Sequence, residues 1–232
     1  MVNGIINVYK EKGYTSFDVV AKLRGIFKQK KIGHTGTLDP DAEGVLPVCL
    51  GKATKVCELL TDKSKEYEAV LMLGKITDTQ DMTGTMLEEH EVNVTEQEVR
   101  EIIHSFVGES RQVPPMYSAL KVNGQKLCDL ARAGKTVERQ PRPITIFSIE
   151  ILKIELPRVH MRVHCSKGTY IRTLCQDIGE KLGCGGCMEQ LLRTRVSEFS
   201  LSDAKKIGEI EELVHEYTEG IPSQEWNAAM FP

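Results

Sequence analysis

The chain has 232 residues, is 41% hydrophobic and 27% charged, and carries a formal net charge of −3 at pH 7. That is enough for one large domain or two small ones with a substantial core, and the composition is ordinary for a globular protein. No run of about 18 apolar residues occurs, so no membrane span is expected. The start "MVNGIINVYK" lacks a basic segment followed by a long apolar core, so no signal peptide is read and a cytoplasmic protein is expected.

The acidity is uneven. Residues 199–232 hold seven acids and two bases, whereas the rest of the chain is slightly basic. "KLRGIFKQKK" crowds Lys22, Arg24, Lys28, Lys30 and Lys31 into ten residues. Such a patch suits phosphate contact better than the net charge suggests, although on composition alone the solvated face of a helix is the favoured reading.

In chain order, "INVYK" reads as a strand and "EKGYT" as a turn. Ser16 is the expected N-cap of a helix running to about Lys30, with Asp18 in its first turn and Val19, Val20, Leu23, Ile26 and Phe27 at helical spacing. "KIGHTGTLDP" follows, then a strand in "GVLPVCLG" and a short helix in "KATKVCELL". "KEYEAVLMLG" alternates at Tyr67, Ala69, Leu71 and Leu73 and reads as a strand, with "GKITDTQDMTG" as a polar loop behind it. Thr95 and Glu98 form a capping box ahead of Val99, Ile102, Ile103 and Phe106.

"GESRQVPPMYSALKVNGQ" reads as a loop and a short strand ending in the hairpin signal Asn123-Gly124. A short helix closed by Gly134 comes next, then two long strands, "RPITIFSIEILKIEL" and "RVHMRVHC". Ile171, Leu174, Ile178 and Leu182 mark one helix, "CMEQLLRTRVSEFSL" another that leads into a strand, and Ile207, Ile210, Leu213, Val214 and Tyr217 a last amphipathic one before "PSQEWNAAMFP". Without regular β-α-β alternation, repeats or a linker, the fold class expected is α+β with a mixed sheet.

The seven cysteines are scattered, and reduced buried thiols are the expectation. Cys184 and Cys187 form a C-x-x-C, but no second pair of ligands accompanies it, so no metal site is assigned. Three loops put polar and aromatic residues beside glycines: "GHTGTLDP", "KSKEYE" and "CSKGTYIRTL". A carboxylate, an arginine and stacking aromatics suit a flipped base or a sugar. No serine–histidine–acid set and no phosphate-cradling Gly-Lys-Ser/Thr ending is present. Taken alone, "KIGHTGTLDP" could equally be a plain turn.

"KIGHTGTLDPDAEGVLPVCLGKATK" closely resembles the signature of the TruB family, the tRNA pseudouridine-55 synthases. "KEYEAVLMLGKITDTQDMTG", "RQVPPMYSALKVNGQKLCDLARAG" and "CSKGTYIRTLCQDIGEKLG" resemble its other blocks in the same order, and the resemblance covers about residues 1–200. It implies a pseudouridine-synthase catalytic domain over 1–200, with a central mixed, mainly antiparallel sheet, and an acidic helix and tail over 201–232 in place of a C-terminal PUA domain. The implied reaction flips the T-loop uridine of tRNA, detaches uracil from its ribose and rejoins it through C5. It needs no cofactor, and a monomer is expected.

Residue by residue, the resemblance makes Asp39 the catalytic aspartate, attacking the sugar or base or taking a sugar proton. Arg172 matches the arginine that pairs with it, and such a partner keeps a carboxylate ionised. Tyr67 matches the tyrosine that stacks on the target base, Tyr170 and Leu191 match pocket residues, and His34 matches a histidine that packs into the T-loop. Lys10 and Ser16, in "YKEKGYTS", match an N-terminal motif that supports the catalytic loop or the RNA backbone.

Three departures stand out. The usual "DPLATG" reads "DPDAEG", adding Asp41 and Glu43; the usual twin arginine reads Leu192-Arg193; and the chain stops soon after the catalytic domain, which implies weaker tRNA binding than in longer members. The alternatives are an RNA-folding chaperone with secondary catalysis and a synthase acting on another RNA.

Overall fold

The structure is a computed structural model that describes residues 1–219; the tail "PSQEWNAAMFP" lies outside the described residues. In chain order it runs β1 (Gly4–Lys10), α1 (Ser16–Ile26), β2 (Ile32–His34), β3 (Glu43–Leu50), a 3-10 turn (Gly51–Val56), α2 (Cys57–Thr61), β4 (Lys65–Leu73), β5 (Lys75–Thr77) and β6 (Met86–Glu89). Then come α3 (Glu96–His104), β7 (Gly108–Gln112), β8 (Lys121–Val122), β9 (Gln125–Lys126), α4 (Leu127–Arg132), β10 (Arg142–Glu155) and β11 (Arg158–Cys165). The described chain ends with α5 (Ile171–Lys181), β12 (Gly186–Val196), β13 (Phe199–Ser200), a 3-10 turn (Leu201–Asp203) and α6 (Ile207–Thr218). The class is α+β, and the sheet is mixed and mainly antiparallel.

Contacts divide the chain into two compact units, Met1–Glu66 with the residues from Leu192 on, and Tyr67–Leu191. The expected boundary at residue 200 falls inside the first unit. In that unit β1 runs antiparallel to β3 from Gly4↔Leu50 to Lys10↔Gly44, and β2 adds antiparallel to the same strand. β12 joins β3 in parallel at Leu192↔Glu43 and Arg193↔Gly44, and β13 folds back on β12. One apolar cluster holds Val8, Leu46 and Val48 of the strands, Val19, Val20 and Leu23 of α1, and Ile207, Ile210 and Val214 of α6. Each such side chain, fully buried, contributes about 1.5–3 kcal/mol. The last helix is therefore an integral layer of this unit.

In the second unit β4, β11, β10 and β7 are successive neighbours. β10 runs antiparallel to β11 and to β7. Val159, Met161, Val163 and Cys165 all point inward, as the alternation in "RVHMRVHC" requires. In β4, Val70 and Met72 are buried as well as Ala69, Leu71 and Leu73, so that end of the strand is covered on both faces. The Asn123-Gly124 turn has positive φ at both residues, 51° and 82°, as a two-residue hairpin demands.

Several local expectations are corrected. α1 stops at Ile26, and Lys28 already has a φ of 49°. Its N-cap is Thr15, because Thr15 and Asp18 are three apart and exchange the two bonds of a capping box. Ser16 is thereby freed for another role. "CMEQLLRTRVSEFSL" holds no α-helix: β12 is one strand, because its backbone partners come from β3, β4 and β13 rather than from its own turns. "GKITDTQDMTG" contains β5, paired with β6, and "GESRQ" forms β7, paired with β10. "KATKVCELL" begins as a 3-10 turn before α2.

Candidate active site

In the first unit, Lys10 of β1, Ser16 of α1 and His34 of β2 bond to the loop of residues 35–42 between β2 and β3, which carries Asp39. Its backbone is fixed almost residue by residue. Thr35 donates to the Pro47 carbonyl from both its amide and its hydroxyl, at 3.1 Å each. The Leu38 amide donates to Ser16 Oγ at 2.9 Å, and the hydroxyl donates back to the Leu38 carbonyl at 3.4 Å. The Asp39 carbonyl accepts from the Ala42 amide, and the Pro40 carbonyl accepts from the Gly13 amide and from Lys10 Nζ at 3.0 Å. Ser16 is 2% exposed and Lys10 is fully buried, and both bond to this loop.

Two buried cations lie against this loop. Lys10 is fully buried, and its Nζ also donates to the Glu11 carbonyl. Burial pushes its ammonium down to about 8, against the opposing pull of Glu43, Asp39 and Asp41. Arg193 is 1% exposed, and its guanidinium donates from Nε to the Val45 carbonyl at 2.7 Å and from Nη1 to the Thr37 carbonyl at 3.5 Å. Gly44 makes this possible: with φ at +107°, a Cβ there would stand 2.2 Å from the Arg193 carbonyl oxygen. His34 ends β2, and its Nδ1 accepts from the Gly36 amide at 3.3 Å. Burial above all, and the Arg193 charge in addition, hold His34 below the usual imidazole range, so it is neutral at pH 7.

In the second unit, Tyr170 and Arg172 share the start of α5. Tyr170 is the N-cap residue, and the Gln112 side chain grips its backbone twice, accepting from its amide at 2.8 Å and donating to its carbonyl at 3.0 Å. Arg172 is 5% exposed and aims its guanidinium at the Thr79 carbonyl (3.0 Å), the Tyr117 carbonyl (2.8 Å) and Asp81 Oδ2 (3.6 Å). It is a buried, aimed cation, quite unlike a surface arginine. Thr173 donates to Gln80 at 2.7 Å, which ties the same turn of helix to the loop after β5. Tyr67 lies on β4 and is buried, whereas Leu191 is half-buried on β12. A parallel bridge between Asp81 and Met188 laces the start of β12 to that loop.

Gln112, Asp81 and Thr173 carry no local signal in the sequence, and Arg193 stands out there only beside a departure from the family pattern. "RQVPP" and "TDTQDMTG" look like solvated loops, and no spacing in them announces a buried amide or a buried acid. Cys184 and Cys187 are buried, and burial raises both thiols, Cys187 to about 11. Of the added acids, Asp41 is exposed and 3.9 Å from Lys12, while Glu43 accepts from the Tyr9 hydroxyl at 3.3 Å.

Residues 24–171 match the family model of the TruB family pseudouridylate synthase N-terminal domain, and residues 172–232 match that of the tRNA pseudouridylate synthase B C-terminal domain. The chain is 64% identical over 225 residues to tRNA pseudouridine synthase B of Lachnoclostridium phytofermentans, covering 94% of this chain and 73% of that protein. It is 53% identical over 212 residues to the protein of the same name from Alkaliphilus oremlandii, covering 91% of this chain and 71% of that one. Among solved structures, the crystal structure of a Cbf5-Nop10-Gar1 complex superposes with a TM-score of 0.75 at 34% identity, covering 94% of this chain and 56% of that one. The chain thus spans just over half the length of that solved relative.

Proposed function

The chain belongs to the TruB family of pseudouridylate synthases, and we propose that it is a tRNA pseudouridine synthase acting on the T-loop uridine at position 55. The observation that carries this reading is the 64% identity to a tRNA pseudouridine synthase B. The loop that bears Asp39 supports it: after the Gly-His-Thr-Gly-Thr run, the carbonyls of Thr37, Leu38 and Pro40 are each held by a buried side chain, as a reacting carboxylate needs.

In the proposed reaction the uridine leaves its stack, because its reacting bonds are shielded within it. The C1′–N1 bond breaks, the uracil turns, and a C1′–C5 bond forms. C5 then loses its proton and N1 gains one, so the product is an isomer and nothing is oxidised or consumed. That balance calls for no cofactor or metal. Asp39 acts as an ionised carboxylate at C1′ or at the base, and the Lys10 ammonium, which attracts that carboxylate, favours its charged form. Tyr67 offers its ring to the extruded base, Tyr170 and Leu191 line its pocket, and Arg172 supplies positive charge. Neutral His34 packs against the opened T-loop. A tRNA substrate implies a cytoplasmic enzyme, and a monomer suffices for the chemistry.

The test is tritium release from tRNA labelled at uridine C5, for wild type and Asp39→Asn. Wild type is expected to release, and the variant to fall by at least about 10³-fold with tRNA binding retained. Equal release by both would remove Asp39 from the chemistry. Binding without release by either would favour an RNA-folding role.

A further inference from the structure

We propose that Arg193 is a positioning residue for the reaction: its buried guanidinium holds the Asp39 loop in reactive geometry by bridging the Thr37 and Val45 carbonyls. This rests on the reading of Asp39 as the reacting carboxylate.

Three observations carry it. First, Arg193 is among the largest fully buried side chains, and its Nε and Nη1 donate while its Nη2 is buried without a hydrogen-bond partner, a cost that placing the cation under this loop must offset. Second, Thr37 and Val45, whose carbonyls accept from its guanidinium, lie on either side of Asp39, two residues before it and six after it. One rigid fork therefore spans the loop and the first turns of β3, which a lysine ammonium cannot do at both ends. Third, its backbone is fixed where it stands. The parallel register puts Arg193 opposite Gly44, and that glycine lets the strands approach closely enough for the side chain to reach beneath the loop. An arginine so enclosed does not touch RNA, so its contribution appears in the chemical step and not in tRNA affinity. The same position also accounts for its influence on the neighbouring Lys10 and His34.

The experiment compares wild type, Arg193→Gln, Arg193→Lys and Asp39→Asn in three measurements: single-turnover pseudouridine formation, tRNA affinity, and hydrogen exchange at the Gly36–Asp39 amides. Arg193→Gln is expected to lose about 30- to 100-fold in rate, with tRNA Kd within about threefold of wild type. Arg193→Lys recovers part of the rate. Amide exchange at residues 36–39 rises in both, while α1 and α6 stay as protected as in wild type.

A rate within about twofold of wild type in folded Arg193→Gln, or a loss confined to Kd, overturns the proposal. Should Arg193→Gln fail to fold, Arg193→Lys decides by the same criteria. If wild type itself forms no pseudouridine, the proposed function fails, and the exchange data still decide whether Arg193 holds the loop.

Discussion

Ser16→Ala separates the two jobs that the first turn of α1 performs. The Ser16 hydroxyl accepts from the Leu38 amide at 2.9 Å and donates to the Leu38 carbonyl at 3.4 Å, and both residues are buried. Removing it leaves a buried N–H without its acceptor and a buried carbonyl short of a donor, at a cost of about 1–3 kcal/mol. For a chain of this length each kcal/mol moves Tm by roughly 2–4 °C, so a fall of about 2–12 °C is expected. Asp39 follows Leu38 directly, and a loop displaced by about 1 Å is expected to cost on the order of 10- to 100-fold in kcat. The matched control is Thr15→Ala, next door in sequence. It removes the true N-cap, costs a similar ~0.5–2 kcal/mol, and touches no atom of the loop. Thermal unfolding and single-turnover tritium release on both variants give the comparison. Ser16→Ala should lose rate and stability, Thr15→Ala stability alone. Equal rate losses would refute the reasoning, because general destabilisation would then explain both.

Gly44→Ala is expected to destabilise the protein by at least about 3 kcal/mol, since φ is +107° and a Cβ would meet the Arg193 backbone at 2.2 Å. Gly13→Ala, at φ +88° with open space around it, should cost only about 1 kcal/mol; urea midpoints for the pair test whether the close approach matters. Asp177 on α5 has its carboxyl pushed up to about 6, by burial first and by Glu180 second. The folded state holds that proton more tightly than the unfolded chain does, so the group's contribution is present at low pH and is lost as pH rises through about 6. Asp177→Asn should therefore be more stable than wild type at pH 8, by about 1–2 kcal/mol after screening by solvent, and no different at pH 3. Urea unfolding across that range would show it, and a variant less stable at pH 8 would contradict the assignment.

Most of the fold was legible in the sequence where one periodicity ruled. The alternation of Val159, Met161, Val163 and Cys165, the Thr95–Glu98 box and the Asn123-Gly124 turn are local signals, and each appears as read. β12 was not legible, because Met, Glu, Gln and Leu carry no strand preference and only the neighbouring strands β3, β4 and β13 make them one. β5 and β7 were lost for a related reason: each is short and polar, and its strand character lies in its partner. The site divides in the same way. Asp39, Tyr170 and Arg172 stand in the sequence as residues of the blocks that resemble the family. What holds them was not legible, because Gln112 reaches Tyr170 across 58 positions and Arg193 reaches Val45 across 148.

The register also changes the meaning of the departures from the family pattern. Read along the chain, Glu43 and Leu192 look like two separate losses, one adding an acid near an RNA-binding mouth and one removing a base. On the sheet they are direct partners in the short parallel pairing of β12 with β3. Glu43 takes a hydrogen bond from Tyr9, while Leu192 presents no charge to it. The pair is thus one local exchange inside the first unit, and it leaves the Gly44–Arg193 step beside it intact. Of the three altered positions only Asp41 is exposed, and it lies 3.9 Å from the exposed Lys12. An exposed pair at that distance contributes little energy, so Asp41 alone keeps a free hand to repel a phosphate.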